Sequence, residues 1–353
     1  MAYNHLTIQP YNNTAIQQYS HTTIQPYNNT TIQQYNNTPI MLLKLIFISF
    51  FMIQTCGSQP VTKKVDRQSS SFPYDLSSPT ETFNLDVALR EISGLTTAPN
   101  SAQLACLQDE SGQLFYLDKK TGKATPSVIF QNSGDFEGIE FVKDTLWATT
   151  SKGKLFKIWN LDKKPFDVQI FKIESLKNAN IEGLGYDALN HRLLLSAKGD
   201  KNDGASLRTV WAFDLQNQTP SPNNRDFGSA STVKKAFDIQ LTDFQAFLKD
   251  KTDKQYAKLA KDYVEKPTPS GFEFGPSGIA VHPLNGHIYI VSATNRTLVV
   301  LSAEGKVLDM VKLDKTLFPQ PEGLCFDAEG TMYISNEAKD NPNASLLVFK
   351  MSK

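Results

Sequence analysis

The chain has 353 residues, 40% of them hydrophobic, and its 36 basic and 36 acidic side chains balance to no net charge. That length makes one large domain or two ordinary ones, and balanced charge gives no electrostatic case for a nucleic-acid partner. Three cysteines, Cys56, Cys106 and Cys325, with no CxxC spacing, exclude a disulfide scaffold.

Residues 1–40 form a low-complexity tract. TIQPYNNT, AIQQYSHT, TIQPYNNT and TIQQYNNT begin at residues 7, 15, 23 and 31, a period of eight. Asn, Gln and Thr offer no apolar face to bury, and the unit is too short and polar for a solenoid. The tract is expected to be disordered, or untranslated if Met41 is the true start. Residues 41–56 read MLLKLIFISFFMIQTC. Their apolar run is too short to span a bilayer as a mature helix and has the size of a signal-peptide core. Cys56 ends it as in a lipobox and is the expected lipidation site; an ordinary cleaved signal is the alternative. Residues 57–81 are polar and Pro/Ser-rich and read as a linker.

Residues 82–353 repeat one pattern. ISGLTTAP, FEGIEFV, IEGLGYD, PSGIAVHP and PEGLCFD place glycines at 94, 138, 183, 278 and 323, with spacings of 44, 45, 95 and 45. Each is followed by a second apolar run, such as DTLWATT or GTMYISN, a third, such as LFKIWN or LLVFK, and in four units a fourth. Short β-branched and aromatic runs between Gly, Asn and Asp turns are strands, and a period near 45 residues indicates an all-β propeller of four-stranded blades. The fifth unit lacks its fourth strand, while TFNLDVAL at 82–89 precedes the first unit and belongs to none. It is expected to complete the last blade and close the ring, removing free sheet edges. The long spacing holds LTDFQAFLKDKTDKQYAKLAKDYV, residues 241–264, with Phe244, Phe247, Leu248, Tyr256, Leu259 and Tyr263 at helical intervals. The expectation is five blades with a helical insertion between blades three and four; six blades is the alternative.

The succession of EGIE, EGLGYD, SGIAVHPLNGHIYIVSATNRTLVVLSAEGKV and QPEGLCFDAEGTMYISNE resembles the SdiA-regulated domain family of bacterial cell-envelope propellers, over roughly residues 85–350. The resemblance implies an exported, often lipid-anchored propeller with a calcium-type site at its channel, and no established reaction. Ser93 and Ser277 stand where the pattern could carry glutamate.

Independently of that resemblance, the strand order places charge. In a propeller the first strand of each blade lines the channel and the second runs antiparallel to it. The start of the first and the end of the second therefore meet at one mouth. The starts give Ser93, Glu137, Glu182, Ser277 and Glu322; the ends give Asp109, Ser151, Lys198, Ala293 and Glu337, with Asn295 and Asn336 beside them. Crowded carboxylates raise one another's pKa or recruit a cation. Oxygen-only donors favour calcium, then magnesium, over zinc or copper. Glu137, Glu182, Glu322, Glu337 and Asp109 are the candidate metal ligands. Lys198, Asn295 and Asn336 are candidates for ligand binding, Lys198 alternatively pairing with Glu182. Equally, a polar residue before the glycine can simply bond to the backbone of the next blade.

Other chemistries lack their motifs. No HExxH, GxSxG or serine–histidine pairing occurs. His282 and His287 flank a turn and read as surface strand ends, and Cys106 and Cys325 as free buried thiols. Two functions remain. One is a monomeric, envelope-anchored binding propeller, facing the periplasm or cell surface, with a calcium-type ion at the mouth and a small ligand or envelope protein as partner. The other is a metal-dependent hydrolase of phytase or lactonase type, an analogy of fold alone.

Overall fold

The computed structural model describes residues 72–199, 206–216, 233–265 and 272–352. The repeat tract, the signal-like segment, Cys56 and most of the linker lie outside them.

The described residues form five four-stranded antiparallel sheets. Blade one is Ile92–Thr97, Gln103–Gln108, Ser111–Asp118 and Ala124–Gln131. Blade two is Phe136–Val142, Thr145–Thr150, Lys154–Trp159 and Asp167–Lys172. Blade three is Ile181–Asp187, Arg192–Ala197, Leu207–Asp214 and Val233–Gln240. Blade four is Pro276–Val281, Ile288–Ser292, Thr297–Leu301 and Val307–Lys312. Blade five is Pro321–Phe326, Met332–Asn336 and Ser345–Phe349, completed by Glu81–Asn84 from the other end of the chain. Each inner strand packs beside those of its two neighbours, and the fifth returns to the first. Six blades is thereby excluded.

Closure is shorter than 82–89. Glu81 to Asn84 pair with Val348 to Ser345, and a single 3-10 turn, Val87–Leu89, follows. Leu89 drops into the core while Val87 is exposed, which a strand could not arrange over that spacing.

The core is not central. Five apolar clusters fill the wedges between successive blades, for example Trp147, Phe171, Leu193 and Phe213 between blades two and three. Middle strands are therefore covered on both faces, which is why LLL at 193–195 and VVL at 299–301 are continuous rather than alternating. Cys106 and Cys325 are both buried free thiols of the wedge between blades five and one.

Glycine is required where inner strands meet. A Cβ on Gly138 would lie 2.7 Å from the Leu184 backbone nitrogen, and one on Gly278 2.6 Å from the Glu322 carbonyl oxygen. The ring is closed at backbone distance.

The insertion before blade four is helical but broken. A helix at Leu241–Leu248 is followed by a 3-10 turn at Lys254–Tyr256, a short helix at Ala257–Ala260 and a π turn at Lys261–Glu265. Asp243 caps the start, accepting the Gln240 N–H at 2.9 Å. Phe244, Tyr256, Leu259 and Tyr263 seal the outside of the wedge between blades three and four.

Two expectations change around residue 74. The last part of the linker is not free: Tyr74 and Leu76 are buried against blades four and five. FPYDL is an apolar island in a polar run, and it takes the cover this wedge offers. His282, expected at the surface, is 1% exposed because Tyr74 lies on it, hydroxyl to Nε2 at 2.7 Å. No helix among the described residues is long and apolar enough to cross a membrane.

Candidate functional site

A backbone irregularity makes the acidic positions. In every blade the pairing of inner with second strand slips at the residues around the glycine: Phe136/Gly138, Ile181/Gly183, Pro276/Gly278, Pro321/Gly323 and Ile92/Leu95. The extra residue is Glu137, Glu182, Ser277 or Glu322, and in blade one falls within Ser93–Gly94. A bulge leaves that residue out of the ladder and re-aims its side chain.

The serines and glutamates then part company. Ser93 donates to the Phe136 carbonyl and Ser277 to the Pro321 carbonyl, each at 2.6 Å. Both thus stitch their strand to the next blade, the architectural role. Glutamate cannot donate when ionised, and Glu137, Glu182 and Glu322 lie within electrostatic reach of one another instead.

Asp109, Ser151, Lys198, Ala293 and Glu337 each sit one residue past a second strand. The N–H groups of Asp109, Ser151, Lys198 and Glu337 donate to the carbonyls of Glu91, Asp135, Asn180 and Gln320 at 2.9–3.2 Å. Those four acceptors are a tier the sequence reading missed. Asp135 accepts from Ser151, Asn180 donates to Glu182 Oε1 at 2.6 Å, and Gln320 donates to Glu337. The signal was available: in blades two, three and five the residue lies two before the bulged glutamate.

Electrostatics join the acids into an arc. Burial, with Glu182, Asp135 and Glu322 nearby, pushes the Glu137 carboxyl up to about 9. Glu182 and Glu322 are each 8% exposed. Burial raises both, Glu322 strongly with Glu337 and Glu182 adding, while Lys198 opposes both shifts. Burial and then Asp109 and Glu91 raise Glu337 to about 7; burial and then Glu91 and Glu110 raise Asp109 to about 6. Lys198 Nζ pairs with Glu182 at 3.3 Å. Burial disfavours its ammonium, but Glu182, Glu322 and Glu137 together outweigh that and raise its pKa.

Two candidates sit apart from the arc. Asn295 accepts from Lys312, which also binds Asp262 of the insertion at 2.7 Å. Asn336 is wholly buried and donates to Leu317 O and Ser345 Oγ at 3.2 and 3.1 Å.

At the bulged glutamates the channel holds only about 10 Å³ between the inner strands, about one water, with Glu137 and Glu322 as well as Leu95, Ile139, Leu184, Ile279 and Leu324 in its lining.

The donors suit a hard cation in type and charge: all are oxygens, several are desolvated, and Asp109 Oδ1 is buried with no hydrogen-bond partner. As they stand, no three acid, His or Cys side chains among the described residues are close enough to share one ion. A bound ion would have to draw carboxylates inward.

The sequence pattern of the SdiA-regulated family matches residues 77–257 and 272–344, well over half of the chain. No curated protein matches by sequence. Among solved structures, a PQQ-bound aldose sugar dehydrogenase from Streptomyces coelicolor is similar at 11% identity and TM-score 0.43, over 77% of this chain and 97% of that one. A streptogramin B lyase gives 12% and 0.39 over 76% and 97%, and a calcium-binding protein, regucalcin, from Agrobacterium tumefaciens gives 10% and 0.42 over 80% and 95%. The propeller rests on the strand pairing, not on these likenesses.

Proposed function

We propose that this chain, which belongs to the SdiA-regulated family, is a binding propeller of the bacterial envelope whose acidic mouth holds a divalent cation, calcium before magnesium, as part of recognising a small ligand or envelope protein. Lipidation at Cys56 is proposed as its anchor. One observation carries the reading of the mouth: Glu137, Glu182 and Glu322 converge in a confined, largely desolvated space with Lys198 as the paired ammonium. Such a cluster holds protons or a cation. Within the chain, Glu137 and Glu322 would supply charge, Asn180 would orient Glu182, and Gln320 would orient Glu337. The ion would supply a fixed positive charge to which an anionic or carbonyl oxygen of the partner can bind.

A hydrolase needs space for a substrate beside the ion. The closed throat supports binding at the rim rather than turnover within the channel.

Thermal unfolding against calcium concentration tests the reading. Calcium should raise the Tm in step with log concentration above its Kd, because it binds only the folded state. Replacing Glu182→Gln and Glu322→Gln together should abolish the response. No heat of binding with millimolar calcium or magnesium would end the ion site and the hydrolase together.

A further inference from the structure

The other end of the channel carries a second cavity. Where the inner strands finish and turn into their partners, a pocket of about 450 Å³ opens. That is the size of small-molecule sites. Every blade contributes to it through its inner strand: Thr96, Glu140, Tyr186, Ala280 and Cys325 in order. Between it and the acidic mouth the space among the inner strands is only about 10 Å³.

Its polar content is narrow. Glu140 Oε1 accepts from the Thr96 hydroxyl and from the Phe141 N–H at 3.0 Å, and Oε2 accepts from the Tyr186 N–H at 3.1 Å. All three donors are neutral, and no ion pair reaches Glu140 among the described residues. A carboxylate accepts about four hydrogen bonds, so one position is open.

The other titratable groups lining the cavity are already answered. Asp187 is bound by Arg192 Nε and Asn190 Nδ2, each at 2.8 Å. His282 is the neutral Nε2–H tautomer. Its Nδ1 accepts the Leu284 N–H at 3.2 Å, and its Nε2–H donates to the Tyr74 oxygen, whose own hydrogen goes to Gly330 O at 2.6 Å. Burial keeps the Cys325 thiol protonated. Around these stand Phe141, Phe326, Ala280 and Val281, and Leu189 at the rim is 83% exposed. Among the described residues the lining holds no lysine or arginine.

We propose that this second mouth binds a small ligand that joins a protonated amine to an apolar, ring-sized body, with the Glu140 carboxylate as its counter-charge. The three neutral donors fix the carboxylate without cancelling its charge, as a preformed cation receptor requires. An anion would meet no positive group among the described lining residues, and a neutral polar ligand would leave the carboxylate uncompensated. Burial, opposed by the Thr96, Phe141 and Tyr186 hydrogen bonds, raises Glu140 to about 7. An arriving ammonium would favour its charged form.

Three probes of one shape test this on the full chain: phenethylamine, 2-phenylethanol and phenylacetate, titrated by calorimetry. Phenethylamine should bind about tenfold or more tightly than the other two, as a charge-assisted hydrogen bond provides. Glu140→Gln should erase that preference. Because Glu140→Gln also disturbs three hydrogen bonds, a second variant, Ala303→Trp, fills the cavity from the rim without touching Glu140 and should abolish binding of all three. The double variant Glu182→Gln/Glu322→Gln should bind phenethylamine as the parent does. Equal binding of the three probes, no binding at 10 mM, undiminished binding in Ala303→Trp, or loss of binding in the double variant would each overturn the proposal.

Discussion

Replacing one atom at Glu137 should move stability by an amount that depends on pH. Burial, with Glu182, Asp135 and Glu322 beside it, raises its carboxyl from 4.5 to about 9. The native state therefore keeps a proton that the unfolded chain releases. The stabilisation is complete below about 4.5 and is lost as pH rises toward about 9. Within that window each pH unit costs about 1.4 kcal/mol, so the parent gives up about 3 kcal/mol between pH 4.5 and 7. Glu137→Gln keeps the size and carries no charge in either state. It should match the parent near pH 4.5 and exceed it by up to about 3 kcal/mol at pH 7, or roughly 6–12 °C in Tm for a domain of this size. Circular-dichroism melting in EDTA at a series of pH values measures the gap. A gap independent of pH, or a glutamine variant less stable at pH 7, would refute the reasoning. Glu137 would then act as a hydrogen-bonded brace rather than a crowded charge. Saturating calcium should reverse the order, since the ion takes the place of the proton.

Gly138→Ala should cost about 3 kcal/mol, the upper end for overpacking. Its Cβ would sit 2.7 Å from Leu184 backbone and force blades two and three apart; an unchanged calorimetric Tm would contradict a ring closed at backbone distance. Cys56→Ser should release the protein from the membrane fraction or leave an uncleaved precursor, and unchanged fractionation and processing on gels would remove the lipid anchor.

How much of this was legible in the sequence depended on how local the cause was. The five glycine-marked strands, the second-strand ends and the closing strand were readable, because spacing and strand grammar are local. Five blades rather than six was readable too, since residues 241–264 change from strand to helical period. The break within that helix was not. It arises where Phe244 and Tyr263 pack edge-on at 5.2 Å to seal one wedge, a tertiary demand. The burial of His282 was hidden for the same reason, since Tyr74 lies 208 residues away in sequence. At the mouth, the glutamates were visible by their place before glycine, but their difference from Ser93 and Ser277 needed coordinates. The hydroxyls have a carbonyl of the next blade to donate to, and the carboxylates do not. Asn295 and Asn336 lie beside the arc in sequence, but adjacency along a strand end does not fix the direction of a side chain. At Asn295 the backbone turns to φ 57°, and its side chain meets Lys312 instead.

Blade four explains why the mouth is an arc rather than a ring. Its bulge carries Ser277, Ala293 follows its second strand, and Gly275 occupies the place held by Asp135, Asn180 and Gln320 in blades two, three and five. A Cβ at Gly275 would lie 2.9 Å from Thr294 Oγ1 and 3.0 and 3.2 Å from Lys198 Cγ and Cε, crowding the lysine stem. The missing side chain is thus the space through which the lysine stem crosses. Blade three supplies the ammonium, and blade four, by having nothing to put there, lets it extend toward Glu322 while it still holds Glu182. One positive charge thereby serves acids from two blades that are not adjacent. Of the three glutamates Glu137 receives least of it, and burial contributes most to its raised pKa. A cation bound as proposed would displace the Glu137 proton and meet the least repulsion there, away from Lys198.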